Sequence, residues 1–413
     1  MGRDGDRDYR LDRYLDPVAA LPADGYRATL VGRAWLPGDP SGPAVVTLRP
    51  EGVVDISRAF PTVAHLLATA DPAAAVRGAA GRRLGSLAEV LSHSHWQRRS
   101  PAAVHLLAPV DLQALKACGV TFVASMLERV IEERAAGQPD RAAAIRAELQ
   151  GVVGGDLANV VPGGPRAQAL KEALQARGIW SQYLEVGIGP YAEVFTKAQP
   201  LSAVGSGAQV GLHPESHWNN PEPEVVLVVN PRGGLVGATL GNDVNLRDFE
   251  GRSALLLGKA KDNNASCALG PFIRLFDDRF GLDDLRHCRV TLQVEGRDGF
   301  NLTDTCQLGT ISRDLESLVS QTINANHQYP DGLVLFTGTP FTPLQDRDGP
   351  GLGFTHHMDD VVTIAASWLG TLANTVTTSN CAPPWTWGMG ALMHNLAARG
   401  LLGGNGPGPE ELP

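Results

Sequence analysis

The sequence lacks any apolar stretch long enough to cross a membrane, and its N-terminal segment, MGRDGDRDYRLDRYLDP, is charged throughout. A membrane-spanning helix needs about 20 predominantly apolar residues, and a secretory signal needs an apolar core. We therefore expect no membrane interaction and no secretory signal. The sequence predicts a cytoplasmic protein.

Cysteine is also scarce, with five residues and no C-x-x-C spacing. This usage is typical of reduced thiols in a cytosol rather than of a disulfide framework or a zinc site. Cys267 lies close to several candidate site residues. No basic residue lies near it in the sequence, so buried packing is favoured over a nucleophilic role.

No run of lysine and arginine alternates with aromatic residues, and the net charge is −9. A nucleic-acid surface is therefore not expected. The glycines between Gly205 and Gly211 do not have the G-x-G-x-x-G spacing, and no βαβ pattern surrounds them, so a dinucleotide site is not expected either.

The chain has 413 residues, of which 43% are hydrophobic, so it is large enough for one large domain and a smaller one. We predict a disordered tail at 1–25, a small N-terminal α/β domain at 26–105, a catalytic domain at 106–402 and a frayed tail at 403–413. Asp111 is predicted to cap a helix that runs to Ala117, because aspartate is a preferred N-cap residue.

Three carboxylates are predicted to meet on one hairpin. Glu222 and Glu224 lie two residues apart before an apolar run, so their side chains point to the same face of a strand. The turn Pro231-Arg232-Gly233-Gly234 separates this run from a second β-like run. A loop centred between Arg232 and Gly233 places Asp243 opposite Glu222.

Such a carboxylate cluster is repulsive unless positive charge compensates it. Oxygen ligands favour a hard cation, so Mg²⁺ is the first expectation, with Mn²⁺ or Ca²⁺ as substitutes. The alternative is that Glu222 and Glu224 are solvated residues at a strand end, and that Asp243 caps the next helix.

The same residues resemble the fumarylacetoacetate hydrolase superfamily, and within it the 2-keto-3-deoxy-pentonate (arabinonate) dehydratases. The shared pattern is an E-x-E, an N-D followed by an arginine, a lysine and then G-P. In this chain these are Glu222, Glu224, Asn242-Asp243, Arg247, Lys261 and Gly270-Pro271. Further likeness lies in Phe195-Thr196-Lys197-Ala198, Phe249-Glu250-Gly251, Ser266-Cys267-Ala268-Leu269 and Thr337-Gly338-Thr339.

The resemblance implies an α+β, β-rich fold, in which rolled β-sheets form the catalytic domain and bind a 2-keto sugar acid. It also implies a homodimer or homotetramer. Glu222, Glu224 and Asp243 match the metal ligands, and Lys261 and Glu193 match catalytic positions. Arg247 is expected near the substrate carboxylate or as a clamp on the metal ligands, and the alternative for it is a structural pair with Asp248 or Glu250. Lys197, Thr339 and Ser125 are expected to contact substrate, and the alternative for Lys197 and Thr339 is a place at a strand edge.

One departure from the hydrolases concerns the lid. Hydrolases of the superfamily usually carry a lid histidine that works with a glutamate to activate water, whereas this chain has Ser125 at that place in Gly119-Val120-Thr121-Phe122-Val123-Ala124-Ser125. The resemblance therefore favours the dehydratases over carbon–carbon hydrolases. Glu128, Glu132 and Glu133 follow in the lid, and we expect at least two of them to be solvated.

The predicted activity is Mg²⁺-dependent dehydration of a 2-keto-3-deoxy-pentonate to 2-oxoglutarate semialdehyde by metal-enolate β-elimination. Lys261 is the expected base, because burial lowers the pKa of an ammonium, and Glu193 is the expected acid, with an exchange of these roles left open. The alternatives are hydrolysis of 2,4-diketo-3-deoxy acids, decarboxylation of an oxaloacetate-like substrate, and a sugar-acid binding module without activity.

Overall fold

The structure is a computed structural model that describes residues 8–136, 138, 141–142, 144–145, 160–176, 178, 180–341 and 343–402. The predicted tail at 403–413 and the first seven residues of the predicted N-terminal tail lie outside the described residues. Within these ranges, no helix has the length and apolar character needed to cross a membrane.

The strands and helices are named here in chain order. The strands are β1 Leu30–Leu36, β2 Gly42–Arg49, β3 Gly52–Asp55, β4 Arg82–Gly85, β5 His105–Leu107, β6 Ala114–Gly119, β7 Glu193–Ala198, β8 Gln209–Leu212, β9 Asn219–Asn220, β10 Pro223–Val229, β11 Leu235–Asp243, β12 Asn245–Leu246, β13 Cys267–Leu275, β14 Arg289–Glu295, β15 Asn301–Gln307, β16 Leu333–Phe336, β17 Val361–Ala366 and β18 Gly370–Thr378. The helices are α1 Pro17–Ala20, α2 Val63–Leu67, α3 Pro72–Gly78, α4 Leu87–Ser94, α5 Val123–Ala135, α6 Pro165–Ala176, α7 Gln182–Ile188, α8 Arg247–Glu250, α9 Leu257–Lys261, α10 Leu282–Arg286, α11 Leu315–Thr322 and α12 Met389–Ala398. Single 3₁₀ turns lie at Leu11–Tyr14, Gly25–Arg27, Ala254–Leu256 and Leu308–Thr310.

The strands form two large sheets. In the first, the order is β4-β3-β2-β1-β13-β11-β10-β16-β6-β7, and β5 also pairs with β1. In the second, the order is β15-β14-β17-β18-β8, while β9 and β12 form a separate pair. This strand-rich α+β architecture confirms the predicted fold class.

Strand β10 lies in the middle of the first sheet and is buried on both faces. Val225, Leu227 and Val229 face one hydrophobic cluster, and Val226 and Val228 face another. A strand covered on both sides reads as a continuous apolar run rather than as an alternating pattern. The acidic residues at its start are therefore carried into the interior of the protein.

The β10–β11 hairpin has the predicted register. Glu224 pairs with Gly241 and Pro223 with Asn242, and the only irregularity among the hairpin's own strand pairs lies next to the turn, at Val228 and Val229. Beyond the last strand pair, the Asp243 N–H donates to the Glu222 carbonyl oxygen at 3.0 Å. Asp243 is thus opposite Glu222, as the sequence predicted.

The described part of the predicted N-terminal tail, residues 8–25, is ordered. Leu11 is only 1% exposed, and Arg10 donates to the Glu295 carbonyl oxygen at 2.7 Å. Asp24 accepts two hydrogen bonds of 2.7 Å from the buried guanidinium of Arg274. The charges that suggested a solvated tail are instead paired with residues far along the chain.

The strands of the predicted N-terminal domain belong to the same sheet as those of the catalytic domain. Strand β1 pairs with β13 through Leu30–Arg274 and Val31–Ile273. Strands β2, β3 and β4 extend the sheet outward from β1. The predicted boundary at 105 and 106 therefore does not coincide with a break in the sheet.

The prediction of a helix from Asp111 to Ala117 is wrong, because Ala114–Gly119 is strand β6, which pairs in parallel with β16. The Asp111 carboxylate does act as a helix cap, but for α2. It accepts from the N–H groups of Val63 at 2.6 Å and Ala64 at 3.1 Å. The first turn of α2 thus has a local acceptor, the Thr62 hydroxyl group, which accepts from the His65 N–H, and a second one, Asp111, from another part of the chain.

Helix α5 covers the end of the β10–β11 hairpin and packs against α7. Met126 and Val130 of α5 share a hydrophobic cluster with Tyr183 and Leu184 of α7. The approach is close at Gly187, where an added Cβ would lie 2.3 Å from the Met126 sulfur. This packing fixes the face of α5 that points toward the site.

Candidate metal centre and active site

Glu222, Glu224 and Asp243 form a buried carboxylate cluster at the open end of the hairpin. They are 2%, 1% and 2% exposed, and one oxygen from each lies within 4.8 Å of the others. Alternation along the chain points the two glutamates to one face, and the hairpin register adds Asp243. The three predicted metal ligands are therefore brought together.

Two lysines neutralise part of this cluster. Lys261 Nζ, at the end of α9, lies 2.6 Å from Glu222 Oε2 and 3.1 Å from Asp243 Oδ2. Lys197 Nζ, on β7, lies 2.9 Å from Asp243 Oδ1. Burial alone would raise the pKa of Asp243, but these two ammonium groups hold the pKa below its ordinary value.

Glu224 is compensated least. Its Oε2 accepts from the Gly338 N–H at 2.6 Å, but no lysine or arginine among the described residues forms an ion pair with it. Burial, with Asp243 and Glu222 close by, raises the pKa of Glu224 well above its ordinary range. A buried all-oxygen set with one uncompensated carboxyl group fits a hard divalent cation such as Mg²⁺.

Lys261 does not have the electrostatics that the sequence argument assumed. Burial lowers the pKa of an ammonium, but Asp243, Glu222 and Glu250 outweigh burial and raise the pKa of Lys261 above its ordinary value. In the cation-free arrangement Lys261 is therefore a charged ammonium. The reason given for it as a base does not hold there.

Glu193 begins β7 and is paired with Gly119 of β6. Burial, reinforced by the charge of Glu250, raises the pKa of Glu193 to about 7. The absence of a side chain at Gly119 is needed here, because an added Cβ would lie 2.0 Å from Glu193 Oε2. The site thus holds one carboxyl group that exchanges a proton near neutral pH.

Arg129 is a site residue that the sequence analysis missed. From the buried face of α5 its guanidinium lies 2.5 Å from Glu222, 2.7 Å from Glu132 and 2.8 Å from Glu250. Glu250, the last residue of α8, was noted only as part of a motif. The weak signal for Arg129 was its place in the predicted lid, four residues after Ser125.

Glu132 was considered as a lid residue and is 2% exposed. It bonds to Arg129, and its Oε1 lies 3.4 Å from Arg247 Nε. Arg247 also donates to Asn220 Oδ1 at 2.8 Å and lies over the Trp218 ring. Arg247 therefore sits behind the carboxylates rather than at the cavity.

The cavity beside the carboxylates has a volume of about 10 Å³, enough for about one water molecule. Ser125 and Thr339 line it, whereas Lys197 and Arg247 are not among its described lining residues. Lys197 is fully buried and donates to the Lys261 carbonyl oxygen at 2.6 Å. The described lining residues are Cys118, Gly119, Val120, Ser125, Arg129, Glu193, Phe195, Glu222, Glu224, Asp243, Glu250, Lys261 and Thr339.

The cysteines near the site are buried thiols. Cys267 is 2% exposed, and burial raises its pKa to about 12. Burial raises the pKa of Cys118 as well. A thiol with a raised pKa is a poor nucleophile at neutral pH, which agrees with the predicted packing role of Cys267.

Comparison with known proteins identifies the region that carries this site. Residues 188–377 match the family model for the C-terminal domain of fumarylacetoacetate (FAA) hydrolase. This stretch, slightly under half of the chain, is similar to the fumarylacetoacetate hydrolase family. The matched region includes Glu193, the three carboxylates, Lys261 and Thr339, while Ser125 and Arg129 of α5 precede it.

Two curated relatives are dehydratases. The "probable 2-keto-3-deoxyxylonate dehydratase" of Haloferax volcanii is 34% identical over 197 residues, which cover 48% of this chain and 64% of that protein. The 2-dehydro-3-deoxy-D-arabinonate dehydratase of Saccharolobus solfataricus is 33% identical over 189 residues, covering 45% and 58%. The chain thus spans less than two thirds of the length of these relatives.

Solved structures show the same fold across most of the chain. A 2-keto-3-deoxy-D-arabinonate dehydratase complexed with magnesium and 2,5-dioxopentanoate aligns with a TM-score of 0.54 and 20% identity, covering 84% of this chain and 99% of that one. A fumarylacetoacetate hydrolase from Exiguobacterium antarcticum aligns with a TM-score of 0.51 and 15% identity, covering 85% and 100%. The fumarylacetoacetate hydrolase fold therefore extends beyond the region matched by the family model.

Proposed function

We propose that this protein is a Mg²⁺-dependent hydro-lyase that converts a 2-keto-3-deoxy-pentonate to 2-oxoglutarate semialdehyde and water. The reaction removes a proton from C3 and the hydroxyl group from C4, and tautomerisation then gives the semialdehyde. No net oxidation or reduction takes place, so no nicotinamide or flavin is required. The dehydratase names of the two curated relatives support this reaction class.

The observation that carries the proposal is the content of the cavity. Among its described lining residues there is a carboxyl group with a pKa of about 7, Glu193, next to the three carboxylates, and there is no histidine. Ser125 lines the cavity, and the sequence resemblance implies that the hydrolases carry their water-activating histidine at the corresponding position. Proton transfer to and from a sugar acid is supported better than activation of water.

Glu222, Glu224 and Asp243 are the residues that would hold the cation. When bound, Mg²⁺ polarises the keto group and stabilises the negative charge that develops on its oxygen as the C3 proton leaves. Lys197 and Lys261 keep Asp243 ionised and in position through the ion pairs described above. We assign them to positioning the ligands.

Glu193 is the proposed proton-transfer residue. A group with a pKa near the working pH is suited to accept and to return a proton, and Glu193 meets this condition through burial and the neighbouring charge of Glu250. The raised pKa of Lys261 does not favour it as the base, so we assign the base role to Glu193 and keep Lys261 as a positioning residue. Protonated Glu193 is also able to donate to the leaving hydroxyl group.

Thr339 and Ser125 are proposed to contact substrate hydroxyl groups. The Thr339 hydroxyl donates to the Phe341 carbonyl oxygen at 2.7 Å, so its oxygen remains an acceptor toward the cavity. A hydroxyl-bearing substrate offers the matching donor.

The test is direct turnover. Purified protein is incubated with Mg²⁺ and racemic 2-keto-3-deoxy-pentonate, and the product is followed through a coupled semialdehyde dehydrogenase, with EDTA and Glu222→Gln as negative conditions. Glu215→Gln is the matched control, because Glu215 is exposed and lies outside the described lining of the cavity. We expect Mg²⁺-dependent product from wild type and from Glu215→Gln, and no product from Glu222→Gln or in the presence of EDTA.

A different product would contradict this assignment. Release of pyruvate from a 2,4-diketo-3-deoxy acid, without dehydration of the pentonate, would move the protein to the hydrolases.

A further inference from the structure

Arg129 supplies the guanidinium group among the described lining residues of the cavity, and it spans three carboxylates from different parts of the fold. One of these, Glu222, belongs to the proposed metal centre, whereas Glu132 and Glu250 do not. Its Nη1 contacts Glu132 and Glu250, and its Nη2 contacts Glu222 at 2.5 Å. The two ends of the fork therefore have different partners.

The charges around the cavity decide which contact is conditional. The described lining includes five carboxylates and two cationic groups, Arg129 and Lys261; the carboxylates are those of Glu193, Glu222, Glu224, Asp243 and Glu250. Arg129 and Lys261 share Glu222 in the structure. A divalent cation on Glu222 would repel the Nη2 end of Arg129, while Glu132 and Glu250 would still hold the Nη1 end.

The freed end of the guanidinium matches the substrate's own charge. A 2-keto acid carries a planar carboxylate, and a guanidinium binds a carboxylate through parallel N–H donors better than an ammonium does. Lys261 is already bonded to Glu222 and Asp243. The cavity of about 10 Å³ is too small for a sugar acid, so side chains of its lining, which include Arg129, must move when a substrate enters.

We propose that Arg129 is the substrate-carboxylate residue, that Glu222 holds it in the cation-free enzyme, and that cation binding transfers its Nη2 end from Glu222 to the carboxylate of the 2-keto acid. The inference rests on the proposed function for the class of substrate. It makes cation and 2-keto acid binding cooperative, because each ligand removes the competitor of the other. Arg129 remains charged throughout.

The experiment measures binding without turnover. Mn²⁺ affinity is determined by electron paramagnetic resonance and calorimetry for the full chain, with and without pyruvate, a 2-keto acid that has no C4 hydroxyl group to eliminate. The variants are Arg129→Gln, Arg129→Lys and Lys116→Gln. Lys116→Gln is the matched control, because its ammonium bonds to Thr196 and lies outside the described lining of the metal cavity.

Arg129→Gln is expected to bind Mn²⁺ about tenfold more tightly than wild type in the absence of pyruvate, because the competitor for Glu222 is gone. The factor by which pyruvate tightens Mn²⁺ binding is expected to fall about tenfold in the same variant. Arg129→Lys keeps the charge but not the fork, so its Mn²⁺ affinity stays near that of wild type while the pyruvate effect is reduced. Lys116→Gln behaves as wild type. Methyl pyruvate lacks the carboxylate, so the factor by which it changes Mn²⁺ affinity is the same in wild type and in the Arg129 variants.

Unchanged Mn²⁺ affinity in a folded Arg129→Gln protein, or an unchanged pyruvate effect in either Arg129 variant, would overturn the proposal. If circular dichroism shows that Arg129→Gln does not fold, Arg129→Lys decides through the pyruvate effect alone. Dehydratase activity is a separate readout. Cooperative binding through Arg129 without dehydration of the pentonate refutes the proposed function only, and dehydration without this cooperativity refutes only the role of Arg129.

Discussion

Replacing Glu193 by glutamine is expected to stabilise the cation-free protein at alkaline pH. Burial and the charge of Glu250 raise the pKa of Glu193 from 4.5 to about 7. The residue as a whole is partly exposed, but it lines the cavity beside the carboxylates. A pKa that is higher in the folded state means that the protein favours the protonated carboxyl group. The stability that this group contributes is fully present below pH 4.5 and is lost as the pH rises through about 7.

The rise in the pKa of Glu193 from 4.5 to about 7 corresponds to about 3 kcal/mol of unfolding free energy. Glutamine has nearly the same shape and does not ionise, so Glu193→Gln keeps this contribution at high pH. Urea unfolding in EDTA between pH 5 and 8.5 measures the difference in unfolding free energy between variant and wild type. This difference should rise with pH in favour of the variant and level off above about pH 8, whereas the exposed control Glu215→Gln should show a flat difference.

A flat difference for Glu193→Gln, or one that falls as the pH rises, would refute the reasoning, because either result means that the folded protein does not favour protonated Glu193. Equal stability of the two proteins at pH 5 alone would not distinguish the cases. The slope with pH is the decisive quantity.

The remaining predictions concern activity and cation binding. Glu250→Gln removes a negative charge near Glu193, so the apparent pKa of Glu193 in the pH profile of kcat/KM should be lower than in wild type. An unchanged or higher value would contradict the contribution of Glu250 to this pKa. Gly119→Ala places a methyl group against the Glu193 carboxyl group and should lower kcat about 100-fold. The control Gly281→Ala, where an added Cβ has nothing within 4 Å, should be fully active. A fully active Gly119→Ala enzyme would argue against Glu193 as the proton-transfer residue. Mg²⁺ at 100 times its Kd should raise the unfolding free energy of wild type by about 2.7 kcal/mol in urea titrations, and equal stabilisation of Glu224→Gln would exclude Glu224 as a ligand.

The carboxylate cluster was predictable because it depends on local geometry. The turn at Pro231-Arg232-Gly233-Gly234 brings the two strands together, with Val229 opposite Leu235. The irregularity beside it leaves Val236 as an extra residue, and the register beyond it, from Val228 opposite Gly237 onward, is the predicted one. Alternation then places Glu222, Glu224 and Asp243 together without knowledge of the rest of the chain.

Arg129 was not predictable in the same way. It reaches Glu222 from a helix far earlier in the sequence, and the pattern of α5 shows which face is apolar but not which charged side chain crosses to the site. The same limit explains Asp111, whose local sequence is that of a helix cap, but whose actual partners are Val63 and Ala64. Long-range pairing of charged groups also orders Arg10 and Asp24, which read as part of a solvated tail.

The pairing of β1 with β13 also has a consequence for how the chain must be handled and how it folds. Strand β13 has β11 on one side and β1 on the other, and its residues Cys267–Leu275 are all buried. Cutting the chain before residue 106 would remove the strand that pairs with Ile273 and Arg274 of β13 and leave an apolar end of this strand without its partner, which is the kind of edge that recruits other chains. The N-terminal strands thus serve as a built-in cap against aggregation, and a ribosome releases them first, so that β13 finds a partner as soon as it emerges.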